Sequence, residues 1–337
     1  MTYSLFAYSK KGIETGRKII AALGEDCTAY TVERLAEEEF LPIPKPSAPL
    51  YEQAFDTSHA LIFISSCGIA VRSIAPHIKS KTTDPAVVVA DETGRFAISL
   101  LSGHIGGANA LTERIAEALG ATPVITTATD ANGRFSVDSW AKTHGFAISG
   151  MGMAKAVSAA ILEGDVPVKS DFTIIGELPA GLKTGEGETG VYLTYTTAEP
   201  FPNTLRLVPK CLCLGIGCRR GISKEAVKNA VDTVLSENRI DPVAVKLAAS
   251  IDLKKDEDGL LEYCREAGLP IEFFSAECLN EVQESVSSSE FVRSVTGVDC
   301  VCERAALVGA DELIVKKTAI NGVTVAVSLE KTEVSFG

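Results

Sequence analysis

The decisive stretch of the sequence is Leu100-Leu101-Ser102-Gly103-His104-Ile105-Gly106-Gly107-Ala108-Asn109. The residues that lead into it, 96–101, are mostly apolar and predict a strand, and its glycines predict a turn. Leucine and isoleucine at helical spacing then predict a helix over residues 108–119. A strand, a tight Gly-rich turn and a helix in succession are typical of a sheet with helices packed against it. The stretch therefore predicts an α/β fold.

The same alternation extends through the first 135 residues. Further strands are predicted over residues 3–9, 60–64, 87–90 and 123–127, with helices over 14–23 and after Cys67. The proline-rich run 42–49 predicts an extended connector. These elements predict an N-terminal α/β domain over residues 1–135, with a central sheet flanked by helices.

A second α/β rhythm begins at Cys211. Strands are predicted over residues 212–215, 243–248 and 271–274, and helices over 223–236 and 258–267. Asn321-Gly322 predicts a hairpin over residues 318–329, and Ser285–Ser289 predict a flexible loop. The prediction is a C-terminal α/β domain over residues 211–337, joined to the first by a smaller α+β middle region over 136–210.

The composition is that of a globular protein, and it disfavours several classes of function. Hydrophobic residues make up 46% of the 337 residues, and charged residues 23%. The formal net charge of −12 disfavours binding to nucleic acid, which needs a basic face, and to anionic membranes. No apolar run approaches the ~20 residues that span a bilayer, and the first residues lack a secretory signal pattern. We therefore expect a cytoplasmic protein.

The cysteines and histidines do not form a metal-binding pattern. A chain of this length can bury a large core without disulfides, so its nine cysteines are not needed as a framework. The four histidines are widely spaced and no Cys-x-x-Cys pair is present, whereas a zinc site needs converging ligands, usually in close pairs. The sequence predicts reduced, buried thiols and no protein metal site.

The Gly-rich turn is the first candidate site. At a strand-to-helix junction, backbone N–H groups and the positive helix end suit an anion or an oxyanion. His104 brings an acid or base to the same loop. The candidate binding residues in this stretch are Ser102, Gly103, Gly106, Gly107 and Asn109. The alternative is a purely structural turn whose histidine has no catalytic part.

Basic residues form the second candidate site. Arg219 and Arg220 lie in the segment 215–221, which has one residue too many before its last glycine for a dinucleotide fingerprint. Lys254 and Lys255 follow a later predicted strand. Adjacent cations indicate direct binding of an anion, and the alternative is a solvated basic surface.

Three carboxylates could act as acids or bases. Asp91 and Glu92 lie in the turn before the strand that leads to His104, and Asp130 follows the run 126–129. Acid–base catalysis needs a titrating group within hydrogen-bond reach of the substrate. The alternative is structural, because aspartates in turns commonly bond their own backbone.

Several segments together resemble one known family. Residues 67–72, 101–109 and 126–130 resemble the N-terminal part of the cobalt-precorrin-5A hydrolases (CbiG). Residues 215–221, 250–257 and 301–306 resemble the C-terminal part of the same family, which is shared with the CobE proteins. The segments occur in the family's order over nearly the whole chain, which is more specific than any one motif.

The resemblance implies a step in anaerobic cobalamin biosynthesis. The family acts on a ring-contracted cobalt corrinoid that carries a δ-lactone. It opens the lactone and releases acetaldehyde, which gives cobalt-precorrin-5B. The cobalt is carried by the substrate, so the resemblance implies no cofactor and no metal bound by the protein itself.

This chemistry assigns hypothetical roles to the candidate residues. His104 would be the base, with Asp91 or Glu92 orienting it or acting in its place. N–H groups of the turn 103–109 would stabilise the oxyanion. The carboxylates of the substrate need cationic partners, and the candidates are Arg72, Arg219, Arg220, Lys254 and Lys255.

Two other functions remain open at this stage. One is a non-catalytic corrinoid carrier of the same pathway, which would release no acetaldehyde. The other is a nucleotide-dependent α/β enzyme, although neither Gly-rich turn has the required spacing. The sequence also leaves open whether the protein forms a homo-oligomer or makes transient contacts with other cobalamin-pathway enzymes.

Overall fold

The structure of the protein is a computed structural model that describes residues 1–24, 26–80, 83–104, 106–282 and 297–336. The chain divides into two compact units, Met1–Trp140 and Ala141–Gly337. The three-region division at residues 135 and 210 stays a prediction. The flexible loop predicted at Ser285–Ser289 lies outside the described residues.

The first unit is built on a seven-stranded sheet. Its strands are β1 (Tyr3–Ala7), β2 (Cys27–Thr31), β3 (Phe40–Pro42), β4 (Ala60–Ile64), β5 (Ala86–Ala90), β6 (Phe96–Leu101) and β7 (Thr122–Val124). They lie in the order β3-β2-β1-β4-β5-β6-β7. Strands β1 to β5 are parallel to one another, whereas β6 runs antiparallel to β5 and parallel to β7. The sheet, with helices between its strands, confirms the predicted α/β class.

Helices cover both faces of this sheet. They are α1 (Lys10–Leu23), α2 (Ala48–Thr57), α3 (Cys67–Ile74) and α4 (Ala108–Leu119). The short α5 (Ala128–Ala131) and α6 (Val137–Thr143) follow, and α6 contains the boundary between the units. One apolar core contains Ile19 of α1 and Ile115 of α4, and the other contains Tyr51 of α2 and Ile74 of α3. Because both faces are covered, β4 and β5 are buried throughout and read as continuous apolar runs.

Two elements of the first unit differ from the sequence prediction. The sequence did not predict β2 or β3, because β2 is only partly buried and β3 has three residues. The connector predicted over 42–49 is shorter than expected, since α2 already begins at Ala48. Pro49 occupies the first turn of that helix. Proline is tolerated there because backbone N–H groups of the first turn make no hydrogen bond within the helix.

The second unit contains two five-stranded sheets and a two-stranded one. Its strands are β8 (Ala147–Ile148), β9 (Val166–Ser170), β10 (Thr173–Ile175), β11 (Leu182–Lys183), β12 (Thr189–Leu193), β13 (Asn203–Val208), β14 (Leu212–Cys218), β15 (Val245–Ile251), β16 (Ile271–Phe274), β17 (Glu312–Ile320), β18 (Val323–Leu329) and β19 (Glu333–Ser335). The sheets are ordered β11-β9-β12-β13-β8, β16-β15-β14-β18-β17 and β10-β19. The helices are α7 (Met151–Glu163), α8 (Lys224–Glu237), α9 (Asp258–Glu266), α10 (Ala276–Glu281) and α11 (Val301–Leu307).

The hairpin predicted at Asn321-Gly322 is confirmed. It joins β17 and β18, which pair antiparallel. Asn321 and Gly322 both have positive φ, 48° and 84°, as a tight two-residue hairpin turn requires.

Gly215, in the segment 215–221, has a packing role. The strand β14 extends to Cys218, beyond the predicted end at Gly215, so Gly215 lies inside the strand. A Cβ atom at Gly215 would lie 1.7 Å from the carbonyl oxygen of Cys302 in α11. Gly215 therefore permits α11 to pack closely on the sheet, and this segment is not a phosphate-binding loop.

Candidate functional site

The loop between β6 and α4 places His104 at the carboxyl end of β6. Ser102 follows the strand with a positive φ of 58°, and Gly107 precedes the helix with a φ of 90°. A Cβ atom at Gly106 would lie 2.2 Å from the Cβ of Ser102. The loop is therefore tightly folded, and Gly106 is required by the close approach of its backbone to Ser102.

Three backbone N–H groups of this loop donate hydrogen bonds within the loop itself. The N–H of Gly107 donates to the carbonyl of His104 at 3.0 Å, and that of Ala108 to Ser102 at 3.1 Å. The N–H of Asn109 donates to the carbonyl of Gly103 at 3.0 Å. The expectation that these three N–H groups are free to bind an oxyanion is therefore wrong, because the tight turn consumes them.

Asn109 links three neighbouring segments. Its Oδ1 accepts a hydrogen bond from the Ser99 hydroxyl of β6 at 2.7 Å, and its Nδ2 donates to the Thr127 hydroxyl at 3.0 Å. The Asn109 side chain is buried. These contacts place the predicted binding residue inside the protein, where its amide ties β6 and α4 to the segment after β7.

His104 lies between a carboxylate and a hydroxyl. Its Nδ1 is 3.2 Å from Oδ1 of Asp138, at the start of α6. Its Nε2 is 3.3 Å from Oγ1 of Thr129 in α5. Because β6 and β7 are parallel neighbours, the segments that follow their carboxyl ends meet here. The arrangement of carboxylate, imidazole and hydroxyl can move a proton.

Asp138 is held as a carboxylate. Its Oδ1 accepts hydrogen bonds from the Ser136 hydroxyl and the Ser139 N–H, both at 3.1 Å. Burial alone would raise the pKa of Asp138, but the hydrogen bond and charge of His104, with these two donors, lower the pKa below its ordinary value. The imidazole therefore faces a negative charge.

Asp91 and Glu92 lie at the other end of β6. The pairing of β5 with β6 places Ala90 opposite Ala97 and Val87 opposite Leu101. The length of β6, about 16 Å at ~3.3 Å per residue, therefore separates the Asp91 turn from the His104 loop. The expectation that Asp91 or Glu92 orients His104 is wrong, because the antiparallel course of β6 carries the chain away from them.

Asp91 has its partners in its own turn, whereas Glu92 has a partner at the start of α1. Asp91 accepts hydrogen bonds from the Thr93 hydroxyl and from the backbone N–H groups of Thr93, Arg95 and Phe96. Burial would raise the pKa of Asp91, but these hydrogen bonds lower it below the ordinary value. Glu92 accepts a hydrogen bond from the Ser9 hydroxyl at 2.6 Å. The contacts of Asp91 match the structural alternative, in which a turn aspartate bonds its own backbone.

The cation predicted in the first unit is Arg72 in α3. Its Nη1 donates to the carbonyl of Gly68 in the same helix at 3.2 Å, and its side chain is exposed. The side chain of Asp130, the third candidate carboxylate, lies outside the described residues.

The second unit contains a cavity of about 550 Å³ beside β14. Its lining is mostly apolar and includes Ile251, Val301, Ile320 and Val323, along with Cys300 and Cys302. Four cationic residues also line it: Arg219, Arg220, Lys254 and Lys317. An apolar cavity with a few polar groups is typical of a small-molecule site.

The predicted cations have different surroundings. Arg220 is exposed and forms an ion pair with Asp256 at 2.6 Å. The side chain of Arg219 packs over Gly322 of the hairpin. A Cβ atom added to Gly322 would lie 2.7 Å from Nε of Arg219. Lys255 is exposed and does not belong to the described lining of the cavity. The structure thus brings three of the four expected cations of this unit to one cavity.

A buried carboxylate holds the arginine turn in place. Glu257 is 3% exposed, and its Oε1 accepts hydrogen bonds from the N–H groups of Gly221 at 2.6 Å and Ile222 at 3.1 Å. Its Oε2 has no hydrogen-bond partner but lies 3.5 Å from Nζ of Lys254. Glu257 therefore fixes both the turn and one lining cation.

Comparison with known proteins places the chain in a family. Two family models match it, "Cobalamin synthesis G N-terminal" over residues 49–130 and "Cobalamin synthesis G C-terminus" over residues 212–328. A cobalt-precorrin-5A hydrolase of Salmonella typhimurium is 35% identical over 342 residues, which cover 97% of each chain. The chain belongs to the cobalt-precorrin-5A hydrolase family. A hydrolase of the same name from Priestia megaterium is 33% identical and covers 97% of this chain and 94% of that one.

A shorter relative of this hydrolase family also matches. Protein CobE of Sinorhizobium sp is 33% identical over 121 residues, which cover 35% of this chain and 79% of that protein. The N-terminal family model includes His104 and Thr129, and the C-terminal model includes the four cations of the cavity. Asp138 lies outside both models.

The sequence prediction missed four residues of these two centres: Thr129, Asp138, Glu257 and Lys317. Thr129 carried a usable signal, because its polar run follows β7 just as the Gly-rich turn follows the neighbouring β6. Asp138 and Lys317 carried none, since their positions depend on how separate segments pack. Glu257 was quoted within the segment 250–257, but a buried carboxylate cannot be distinguished there from its exposed neighbours.

No group of three or more His, Cys, Asp or Glu side chains in the described ranges is arranged to hold a metal ion. Among the same residues, no helix has the length and apolar character needed to cross a bilayer.

Proposed function

We propose that this protein hydrolyses cobalt-precorrin-5A, opens its δ-lactone and releases acetaldehyde to form cobalt-precorrin-5B. The observation that carries the proposal is the 35% identity to a cobalt-precorrin-5A hydrolase over 97% of both chains. Similarity of this extent covers both units rather than a single shared domain. The carrier function lacks any comparable support.

The reaction needs proton transfer at two steps. In the first, water adds to the lactone carbonyl, the ring C–O bond breaks, and the departing oxygen takes up a proton. In the second, the freed hydroxyl loses its proton, the adjacent C–C bond breaks, and acetaldehyde leaves. The electron pair of that bond stays on the macrocycle, where it is protonated. A single base near neutral pH can serve both steps.

His104 is the base that we propose. It is the group of the first unit that combines partial exposure with a carboxylate on one ring nitrogen, and its side chain is 18% exposed. A histidine so placed can accept a proton from water or from the freed hydroxyl and return it later. Asp91 and Glu92 are not part of this proposal, because they lie at the opposite end of β6.

We propose that the cavity of the second unit binds carboxylates of the substrate. The corrinoid carries acetate and propionate side chains around an apolar macrocycle. Lys254 and Lys317 face the same apolar space as Arg219, so carboxylate and macrocycle could both be matched there. This local positive charge is needed because the whole chain carries a net charge of −12, which repels a polyanion at long range.

The catalytic proposal is tested by acetaldehyde release. The variants His104→Ala and His104→Gln are assayed with purified substrate, and His59→Gln, an exposed histidine before β4, is the matched control. We expect the two His104 variants to lose activity by about 10²–10⁴-fold, the typical contribution of a general base. Full activity in both would remove His104 from the mechanism.

The binding proposal is tested by substrate affinity. Arg219→Ala and Lys317→Ala should each weaken binding about 10- to 100-fold, as expected for a lost hydrogen bond between charged groups. Arg220→Ala should have a smaller effect, because that guanidinium already pairs with Asp256. Unchanged affinity in Arg219→Ala and Lys317→Ala would place the carboxylates elsewhere.

We propose that the enzyme needs no cofactor, because its cobalt arrives with the substrate. Retained activity after exhaustive dialysis against a chelator would support this, and restoration of a lost activity by an added metal would contradict it. We also propose a cytoplasmic location, since all nine cysteines are free thiols and thiols stay reduced in that compartment.

A further inference from the structure

We infer that Asp138 is a positioning residue for His104, which it holds in the tautomer with the proton on Nδ1 and the lone pair on Nε2. The inference rests on the proposed hydrolase function for its catalytic meaning, although the tautomer itself can be measured without any substrate. Asp138 lies outside both family models, so the assignment comes from the packing of α6.

The carboxylate of Asp138 is ionised and accepts hydrogen bonds. Oδ1 of Asp138 accepts hydrogen bonds from the Ser136 hydroxyl and the Ser139 N–H, both at 3.1 Å. Nδ1 of His104 lies 3.2 Å from the same oxygen. An oxygen that faces three donors is an acceptor, and a protonated carboxyl oxygen could not serve all of them. The lowered pKa of Asp138 agrees with this geometry.

The imidazole of His104 carries its hydrogen on Nδ1. A neutral imidazole has one N–H donor and one lone pair, and the hydrogen bond at one nitrogen decides the role of the other. Since Oδ1 of Asp138 can only accept, Nδ1 of His104 carries the hydrogen. The lone pair is therefore on Nε2, where the Thr129 hydroxyl lies at 3.3 Å and can donate to it.

This tautomer suits His104 to act as a base. A base must present its lone pair to the proton that it removes, and the wrong tautomer presents an N–H instead. Once Nε2 has taken up a proton, the ring becomes positive, and the adjacent Asp138 carboxylate stabilises that charge. Both side chains are mostly buried, with exposures of 18% for His104 and 12% for Asp138, so solvent screens this interaction only weakly.

The tautomer is measured directly by NMR. Long-range ¹H–¹⁵N correlation spectra distinguish protonated from unprotonated ring nitrogens, and the His104→Gln variant assigns the His104 signals among four histidines. At alkaline pH, where histidines are neutral, we expect the wild-type His104 to show a protonated Nδ1 and an unprotonated Nε2. An unprotonated Nδ1 in the wild type would overturn the inference with no variant needed.

The kinetic test uses Asp138→Asn, which keeps the shape of the side chain. Its amide can donate to Nδ1 and thereby favour the opposite tautomer, so we expect kcat to fall by about 10²–10⁴-fold with KM little changed. Ser136→Ala is the matched control, because it removes one hydrogen bond to Asp138 but keeps the charge. It should retain the Nδ1–H tautomer and a rate within about tenfold of the wild type.

The two proposals fail in different ways. If wild-type protein releases no acetaldehyde, the hydrolase function is wrong, whereas the NMR result still decides the tautomer. If the wild type is active and Asp138→Asn turns over at the same rate, Asp138 does not position the base.

Discussion

Replacing Glu257 by alanine should release the turn that carries the two arginines. The Glu257 carboxylate is buried and binds two backbone N–H groups of that turn, at 2.6 Å from Gly221 and 3.1 Å from Ile222. Its second oxygen lies 3.5 Å from the Lys254 ammonium. Alanine removes these contacts and a longer ion pair with Arg220 at 3.9 Å, and it leaves Lys254 without this buried counter-charge.

The size of the effect follows from these contacts. A hydrogen bond to a charged group contributes about 1.5–3 kcal/mol, so two contribute about 3–6 kcal/mol. Breaking a buried ion pair by removing one partner costs about 3–5 kcal/mol. Because the same carboxylate makes both kinds of contact, these contributions overlap and do not add. We expect Glu257→Ala to lower the free energy of local opening by about 3–5 kcal/mol.

Hydrogen exchange measures this opening at the affected backbone. Each 1.4 kcal/mol is a factor of ten, so the amides of Gly221 and Ile222 should exchange about 10²- to 10⁴-fold faster in Glu257→Ala. Asp256→Ala is the matched control, because Asp256 is the neighbouring residue and pairs with Arg220 on the exposed surface. It should leave the exchange of these amides unchanged, since exposed ion pairs contribute little.

Glu257→Gln separates the hydrogen bonds from the charge. Its amide oxygen can still accept from Gly221 and Ile222, but its NH₂ group then faces the Lys254 ammonium. We expect an acceleration of exchange smaller than that of Glu257→Ala. Equal exchange in wild-type protein and Glu257→Ala would refute the reasoning, because the turn would then be held by other contacts.

Three further predictions concern other positions. Gly106→Ala should abolish acetaldehyde release, because its Cβ would lie 2.2 Å from that of Ser102; retained turnover would show that the loop can adjust. Gly215→Ala should prevent the second unit from folding, since its Cβ would lie 1.7 Å from the carbonyl oxygen of Cys302, and a wild-type circular dichroism spectrum and melting temperature would contradict this. The folded-state pKa of Asp138 lies below its ordinary value of 3.8, so its stabilising contribution is present above that value and lost as pH falls through the lowered pKa. The stability difference between wild type and Asp138→Asn, measured by urea denaturation, should therefore shrink at acid pH, and a constant difference would be inconsistent with a lowered pKa.

The α/β class could be predicted because the buried strands are visible in the sequence as short apolar runs. The residues of β4 and β5 are apolar throughout, and α4 repeats leucine and isoleucine at helical spacing. The hairpin at Asn321-Gly322 could be predicted from its turn residues alone. These signals are local, so a single sequence contains them.

The direction of β6 could not be predicted, and it decides the site. Nothing in residues 96–101 shows whether this strand runs parallel or antiparallel to β5, because pairing direction depends on tertiary contacts. The sequence therefore placed Asp91 and Glu92 with His104, although the strand separates them. For the same reason Asp138 was missed, since it lies 34 positions after its histidine partner in the chain.

The cations of the second unit show an intermediate case. Their charge and their position after strands were visible in the sequence, and three of the four expected residues line one cavity. Their burial and pairing were not visible. Arg220 is paired at the surface, while Lys317 joins the cavity from a strand more than sixty residues further along the chain than Lys254.

Because β6 runs antiparallel to β5, the Asp91 turn and the His104 loop lie at opposite ends of the strands in the first unit. Strands β1, β4 and β5 deliver their carboxyl ends to one edge of the sheet, and β6 and β7 deliver theirs to the opposite edge. An insertion or a label placed in the Asp91 turn would therefore leave the His104 loop undisturbed. The Asp91 end could therefore be altered to recruit a partner or a surface without changing the proposed site at His104.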